Sequence, residues 1–281
     1  MPSRATEPDD KTPTALVTGA TDGVGRVVAR ALAKDGWRGL VQGRDRARGA
    51  ALVEEIAKTG GSATFLAADL SSLVEVRHLA DAVGKTTDRL ELLINNAGIG
   101  TAGAAPGRQT SVDGHELRFA VNYLSGFLLT RLLLPLLKAS APARIVHVSS
   151  AGPQAIDFSD VMLTGRYSGV AAYCQSKLAQ ILFTIDLADE LEGCGVTANT
   201  LHPSTYMNTT MVRQSGNAPI SKVEDGAAAI LKLAVSRELE GRSGLYFNVL
   251  NEAQANPQAY DGEARRKLRA LSLELTGAPP G

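Results

Sequence analysis

The sequence predicts an α/β fold: a single domain built on a doubly wound, seven-stranded parallel sheet with helices on both faces. Three observations carry this expectation. Short runs rich in Val, Ile and Leu alternate with longer helical patterns, as strands and crossover helices do in a parallel sheet. The first run, Ala15-Leu16-Val17, opens into a glycine-rich turn and then an amphipathic stretch, Val27 to Lys34. The chain has 281 residues, long enough for one α/β unit to bury a substantial core.

Strand 15–18 is followed by the turn Thr18-Gly19-Ala20-Thr21-Asp22-Gly23-Val24-Gly25 and a helix over 24–35. Strand 38–42 leads to helix 45–59, and strand 62–67 to helix 72–86, which Asp69 or the serines after it could cap. Strand 90–95 ends in Asn95-Asn96-Ala97-Gly98, and a long apolar helix is expected over 110–139. Strand 144–149 precedes helix 172–192, strand 196–201 precedes helix 222–236, and strand 244–248 completes the sheet. Segments 151–171 and 203–221 read as irregular; both follow strand carboxyl ends, where loops build substrate cavities. Residues 1–12 read as a mobile tail, 13–250 as the domain, and 251–281 as an extension, helix-prone from Pro257 to Leu275.

Composition narrows the function. Lys plus Arg and Asp plus Glu each number 29 and the isoelectric point is near 6.9, so charge offers no reason to expect nucleic acid or an anionic membrane. Two cysteines, Cys174 and Cys194, do not make a disulfide framework and suit a reducing compartment. The histidines at 78, 115, 147 and 202 lack ligand spacing, so no metal is expected; His147 and His202 read as packing residues. Residues 1–12 carry neither the apolar stretch of a signal peptide nor a transit-peptide pattern. The greasiest window, Phe127 to Leu137, is broken by Thr130, Arg131 and Pro135, and the expectation is a cytoplasmic protein.

The glycine turn suits a pyrophosphate, because glycines let backbone approach the ligand and a helix start offers N–H groups with a positive dipole end. A tight turn without a ligand would use the same residues. Asn96 and Ser150 should face the same edge of the sheet as Gly19, since ligand crevices lie outside strand carboxyl ends. Tyr173 and Lys177 stand four apart on one helical face, where an ammonium would favour the phenolate and bring the phenol towards neutral titration.

In order along the chain, Thr18-Gly19-x-x-x-Gly23-x-Gly25, Asp69-Leu70, Asn95-Asn96-Ala97-Gly98, Asn122, Ser150, Tyr173-x-x-x-Lys177 and His202-Pro203 resemble the short-chain dehydrogenase/reductase family, in its carbonyl-reductase and retinol-dehydrogenase-like branch. The resemblance implies a Rossmann-type dinucleotide-binding and catalytic domain over 13–250. It implies an oxidoreductase that interconverts a ketone or aldehyde with its alcohol. Catalysis would fall to Asn122, Ser150, Tyr173 and Lys177: Tyr173 as general acid, Lys177 tuning it and holding the nicotinamide ribose, Ser150 donating to the substrate oxygen, and Asn122 holding a water linked to Lys177. Ser149 would serve packing.

Cofactor contacts would come from Gly19, Thr21, Asp22, Gly23, Val24, Gly25, Asn96, Ala97, Gly98, Pro203 and Thr205, with Asp69 and Leu70 flanking the adenine. Family members that use NAD carry an acid about eighteen residues after the last glycine, where this chain has Gly43 followed by Arg44. A guanidinium there would clasp a 2′-phosphate, which implies NADP(H) in preference to NAD(H), although Arg46 or Arg48 could serve instead or Arg44 could be a solvated charge. Ser150 and Tyr173 stand twenty-three residues apart, against about a dozen in the shortest members, so 151–171 either shapes the cavity or is a surface excursion. The residues at 204–221 suggest a bulky, partly apolar substrate. A homodimer or homotetramer through the two long helices is possible in the family. The competing expectation is a redox sensor that binds dinucleotide without turning anything over.

Overall fold

The computed structural model describes residues 12–102 and 107–280; of the expected tail only its last residue falls among them. Among the described residues eight strands form one sheet: β1 (Thr14–Val17), β2 (Arg38–Gly43), β3 (Ser62–Ala67), β4 (Leu92–Asn95), β5 (Ala143–Val148), β6 (Val196–His202), β7 (Tyr246–Asn248) and β8 (Asn251–Ala253). Their order is β3-β2-β1-β4-β5-β6-β7-β8. The seven expected strands are all parallel, and β8 is an addition that pairs antiparallel with β7. The order reverses between β1 and β4, so a crevice opens at their carboxyl ends.

The helices are α1 (Gly23–Lys34), α2 (Arg46–Lys58), α3 (Leu73–Thr86), α4 (Ser125–Ala139), α5 (Gly169–Glu190), α6 (Thr210–Gln214), α7 (Val223–Val235) and α8 (Gly262–Thr276). On one face of the sheet α1, α2 and α7 bury Leu32, Leu52, Ile56 and Ile230; on the other, α3, α4, α5 and α8 bury Val76, Leu128, Leu182 and Leu268. Double coverage explains why β1 and β4 are buried along their whole length and read as continuous apolar runs. It also explains why α5 shows no simple stripe, being buried almost without interruption from Gln175 to Leu187.

The expected helix over 110–139 starts later. Ser111 Oγ accepts the N–H groups of Asp113 and His115 at 3.2 and 3.3 Å, and Thr110 bridges to Glu116, so turn chemistry displaces the first helical turns. The helix then enters through a π-helical segment, Phe119–Leu124, an irregularity often found at functional sites.

The segment after residue 250 contributes to the core. Tyr123 hydroxyl meets Ser272 Oγ at 2.7 Å, Arg269 pairs with Asp186, and Arg265 reaches Asp189 at 2.6 Å. This docks α8 along α5. Loop 151–171 is tied down as well: Gln258 exchanges two hydrogen bonds with the Ile156 backbone, at 2.7 and 3.0 Å, and Gln175 Nε2 donates to Val161 O at 2.5 Å.

Candidate active site

The crevice is held open by a bracket between β1 and β4. Thr18 Oγ1 accepts the N–H groups of Asn96 and Ala97 at 3.0 and 3.1 Å, while Asn96 Nδ2 donates to Thr18 O at 2.8 Å. Gly19 and Gly23 sit at φ +62° and +52°, where only glycine is unstrained. Gly25 is required for contact: a Cβ there would lie 2.3 Å from Gly19 O and 2.4 Å from Asn96 Nδ2. Asp22 caps α1 by accepting the Gly23 N–H at 2.7 Å. Sequence reasoning missed Gln42, a buried side chain that accepts the Gly19 N–H at 2.9 Å and donates to Ala68 O at 2.8 Å, tying the turn to β3. Its only sequence signal was a lone amide in an apolar strand.

At the end of β2 the space above Gly43 is filled. A Cβ on Gly43 would meet Thr21 Cγ2 at 2.5 Å and Oγ1 at 2.7 Å, so Thr21 occupies the place an acidic side chain would need. Arg44 is exposed and lies 3.8 Å from Asp69 Oδ2; Arg48 reaches Asp22 at 3.4 Å, putting a second guanidinium beside the turn. Asp69 accepts the Ser71 N–H at 2.9 Å, whereas Ser72, not Asp69, caps α3. Leu70 is buried in the core beneath the crevice, so packing occupies its side chain.

The other end of the crevice gathers Ser150, Tyr173, Lys177 and Asn122. Ser149 Oγ donates to Lys177 O at 2.8 Å, fixing α5 on the end of β5 and leaving the next serine to the site. The Ser150 hydroxyl neighbours the Tyr173 hydroxyl closely enough to favour its ionised form. Lys177 is buried, with Nζ 5.8 Å from the Tyr173 ring centre, donating to Val148 O at 2.8 Å and Gln180 Oε1 at 3.1 Å. Asn122, in the π-helical segment, pairs like a strand with Ile99: Oδ1 accepts its N–H at 2.8 Å and Nδ2 donates to its carbonyl at 3.2 Å and to Ser176 Oγ at 3.0 Å. Gly98 leaves room between these groups, since a Cβ on it would come within 3.2 Å of Asn122 Oδ1 and 3.5 Å of Lys177 Nζ. Pro203 is buried after β6, and His202 Nε2 meets Thr205 Oγ1 at 3.0 Å. The loop that follows arches over the crevice, with Thr209 against Gly23 and Met211 against Gly100.

The electrostatics differ from the sequence expectation of a lowered phenol. Burial raises the Tyr173 pKa, and the neighbouring Ser150 hydroxyl is what opposes it. Burial also lowers Lys177 from 10.5 to about 7, so near neutrality this group is not a full cation beside the phenol. The same desolvation drives His147 down to about 3, keeping it neutral beneath the site.

Lys177 carries a testable cost. Between about 7 and 10.5 the unfolded lysine binds a proton that the folded one refuses, so stability falls as pH drops through that window. The slope is at most about 1.4 kcal/mol per pH unit. Lys177→Met is expected to flatten the stability curve between pH 7 and 10, read by urea unfolding. An unchanged slope would show that the amine keeps its solvation.

Fold and crevice together define an α/β protein of Rossmann type with a cleft at the carboxyl ends of β1 and β4. The chain belongs to the short chain dehydrogenase family, whose profile matches residues 13–219. Mouse retinol dehydrogenase 13 is 39% identical, over 98% of this chain and 86% of that protein. Among solved structures, an uncharacterised protein from Mycobacterium paratuberculosis is 31% identical with a TM-score of 0.79, over 98% of both chains. The Pseudomonas aeruginosa RhlG/NADP active-site complex is 30% identical with a TM-score of 0.69, over 84% of this chain and 94% of that one. As a family member, the protein is an oxidoreductase that interconverts alcohol and carbonyl groups by hydride transfer with a nicotinamide dinucleotide.

The expected cytoplasmic location does not stand. Relatives of this chain include retinol dehydrogenases 11 to 14, and the stretch Phe119–Ala139, 21 residues with mean hydropathy 1.5, is long and apolar enough to cross a membrane. The window from Phe127 to Leu137 leaves out the apolar residues that the π-helical segment, Phe119–Leu124, adds in front of it. In this fold 72% of the most apolar window is buried.

Proposed function

We propose that the protein uses NADP(H) in preference to NAD(H) to interconvert a bulky, partly apolar alcohol with its aldehyde or ketone, with Tyr173 as the proton donor and acceptor. The observation that carries this reading is the Tyr173 ring 5.8 Å from the buried Lys177 Nζ, with Ser150 neighbouring the phenol and Gly98 leaving room beside the amine, at the end of the crevice opposite the glycine turn. The turn fits a dinucleotide, because the contacts that forbid a side chain on Gly25 leave bare backbone at the start of α1, where the dipole favours a pyrophosphate.

Gly19, Thr21, Asp22, Gly23, Val24 and Gly25 would hold the pyrophosphate, Arg44 the 2′-phosphate, and Asp69 with the Leu70 backbone the adenine. Asn96, Ala97 and Gly98 would line the path to the nicotinamide, Pro203 and Thr205 its carboxamide end, and Tyr173 with Lys177 its ribose. When bound, the cofactor supplies or accepts the hydride. The chain's own task is the proton and the charge: Tyr173 gives its hydroxyl proton to the carbonyl oxygen while Ser150 donates a hydrogen bond to the same atom, where negative charge develops. Asn122 keeps Ile99 in place beside Gly98 and so holds the wall that faces Lys177.

A retinoid is the substrate class we favour. The relative named as a retinol dehydrogenase supports it, as do the apolar residues Met207, Met211 and Val212 in the arching loop.

The test is NADPH and NADH oxidation against a panel of aldehydes and ketones that includes retinal. Turnover with NADPH favoured is expected; dinucleotide binding without turnover on any member would favour the sensor, and equal or better use of NADH would remove the cofactor assignment. Arg44→Ala is expected to lower kcat/KM for NADPH about tenfold, equivalent to ~1.4 kcal/mol, with the value for NADH little changed.

A further inference from the structure

Arg118 is buried together with Glu116, and nothing in the proposed chemistry uses either. A buried ion pair is a poor way to stabilise a fold, because desolvation offsets the attraction; its value lies in fixing one arrangement. Here the arrangement spans three segments that meet at the crevice. Arg118 Nε donates to Gly100 O and Nη2 to Thr101 O, both at 2.8 Å, holding the segment that continues from Gly98. Nη1 donates to the Tyr167 hydroxyl at 2.5 Å, and that hydroxyl donates to Glu116 Oε1 at 3.3 Å. Glu116 Oε2 accepts the Phe119 N–H at 2.7 Å, at the entrance to the π-helical segment that carries Asn122.

Gly169 completes the latch. A Cβ there would lie 2.4 Å from Thr101 O and 3.5 Å from Arg118 Nη2, so the first turn of α5 is pressed onto the carbonyl that Arg118 holds. Tyr173 follows one turn later on the same helix.

We propose that Arg118, with Glu116 and Tyr167, is a positioning residue that locks loop 151–171 to the Gly98–Thr101 segment and so fixes the substrate-side wall of the crevice. The substrate part of this inference rests on the proposed oxidoreductase site; the mechanical part does not. Arg118 touches no reacting atom, and its effect passes through Gly100, Thr101 and Tyr167.

The experiment uses Tyr167→Phe, which removes one hydroxyl and keeps the ring, and Arg118→Lys, which keeps the charge beside Glu116 but cannot reach every acceptor. Amide hydrogen exchange is read over 98–102 and 151–171, alongside KM for the best carbonyl substrate of the panel and Kd for NADPH. In Tyr167→Phe, exchange is expected to rise in both segments together and KM to rise about fivefold, with kcat and the NADPH Kd unchanged. Arg118→Lys is expected to exceed this, and the double variant to equal Arg118→Lys rather than the product of the two effects. Faster exchange without a change in KM would reduce the cluster to a structural role and overturn the proposal, as would a KM change with exchange confined to residues next to 167. A wild-type protein that turns over no substrate would sink the reading of the site, while the exchange data would still decide whether the latch exists.

Discussion

Replacing Tyr173 by phenylalanine is expected to lower turnover by about 10²–10⁴-fold while NADPH binds almost as before. The substitution removes a single hydroxyl, the one beside Ser150, and leaves the ring in place beside Lys177, so the fold is not put at risk. Burial holds the Tyr173 proton more tightly than in free tyrosine, so the acid form persists through neutral pH. Above the range near pH 7 in which Lys177 titrates, carbonyl reduction should therefore be nearly flat up to alkaline values. Alcohol oxidation needs the proton removed first, and its rate should climb as pH rises. Steady-state rates in both directions, with NADPH affinity from fluorescence titration, check this; a Phe variant that keeps most of its activity would end the assignment of Tyr173 as the acid.

The second large effect is expected at Gly25. An alanine methyl would lie 2.3 Å from Gly19 O and 2.4 Å from Asn96 Nδ2, both parts of the bracket that joins β1 to β4. Neither atom is the free end of a flexible side chain, because Asn96 Nδ2 is held by Thr18 O. The backbone must shift, at an overpacking cost of about 1–3 kcal/mol. We expect Gly25→Ala to weaken NADPH at least about 100-fold, or ~2.7 kcal/mol, and to lower Tm. Gly84→Ala is the control: it lies within α3 with nothing within 4 Å of the added carbon, and should stabilise by about 0.5–1 kcal/mol. NADPH affinity unchanged in Gly25→Ala would mean that this turn does not cradle the pyrophosphate.

These two residues illustrate what the chain discloses before it folds. The glycine turn is legible because local backbone geometry needs glycine at fixed spacing, and Tyr173 with Lys177 is legible because helical periodicity puts them on one face. Gln42, Thr21 and Arg118 are different. Each acts across strands or segments that only the sheet order brings together: Gln42 between β1 and β3, Thr21 above Gly43, and Arg118 between Thr101 and Tyr167. The late start of the long helix has a related cause. Apolar content continues through 119–124, whereas Ser111 and Asp113 set the turn before it through hydrogen bonds that composition does not report.

By itself the sequence determined the seven parallel strands, the crossover helices between them and the family motifs, because period, glycine spacing and strand-end residues are local properties of the chain. Only the tertiary structure decided that β8 and α8 close the domain, that Thr21 fills the space above Gly43, and that Tyr173 holds its proton more tightly rather than less. The physical reason is desolvation and steric exclusion: both depend on which atoms surround a group from every side, and for Lys177 and Tyr173 those atoms come from β5 and α5 packed together in the folded protein.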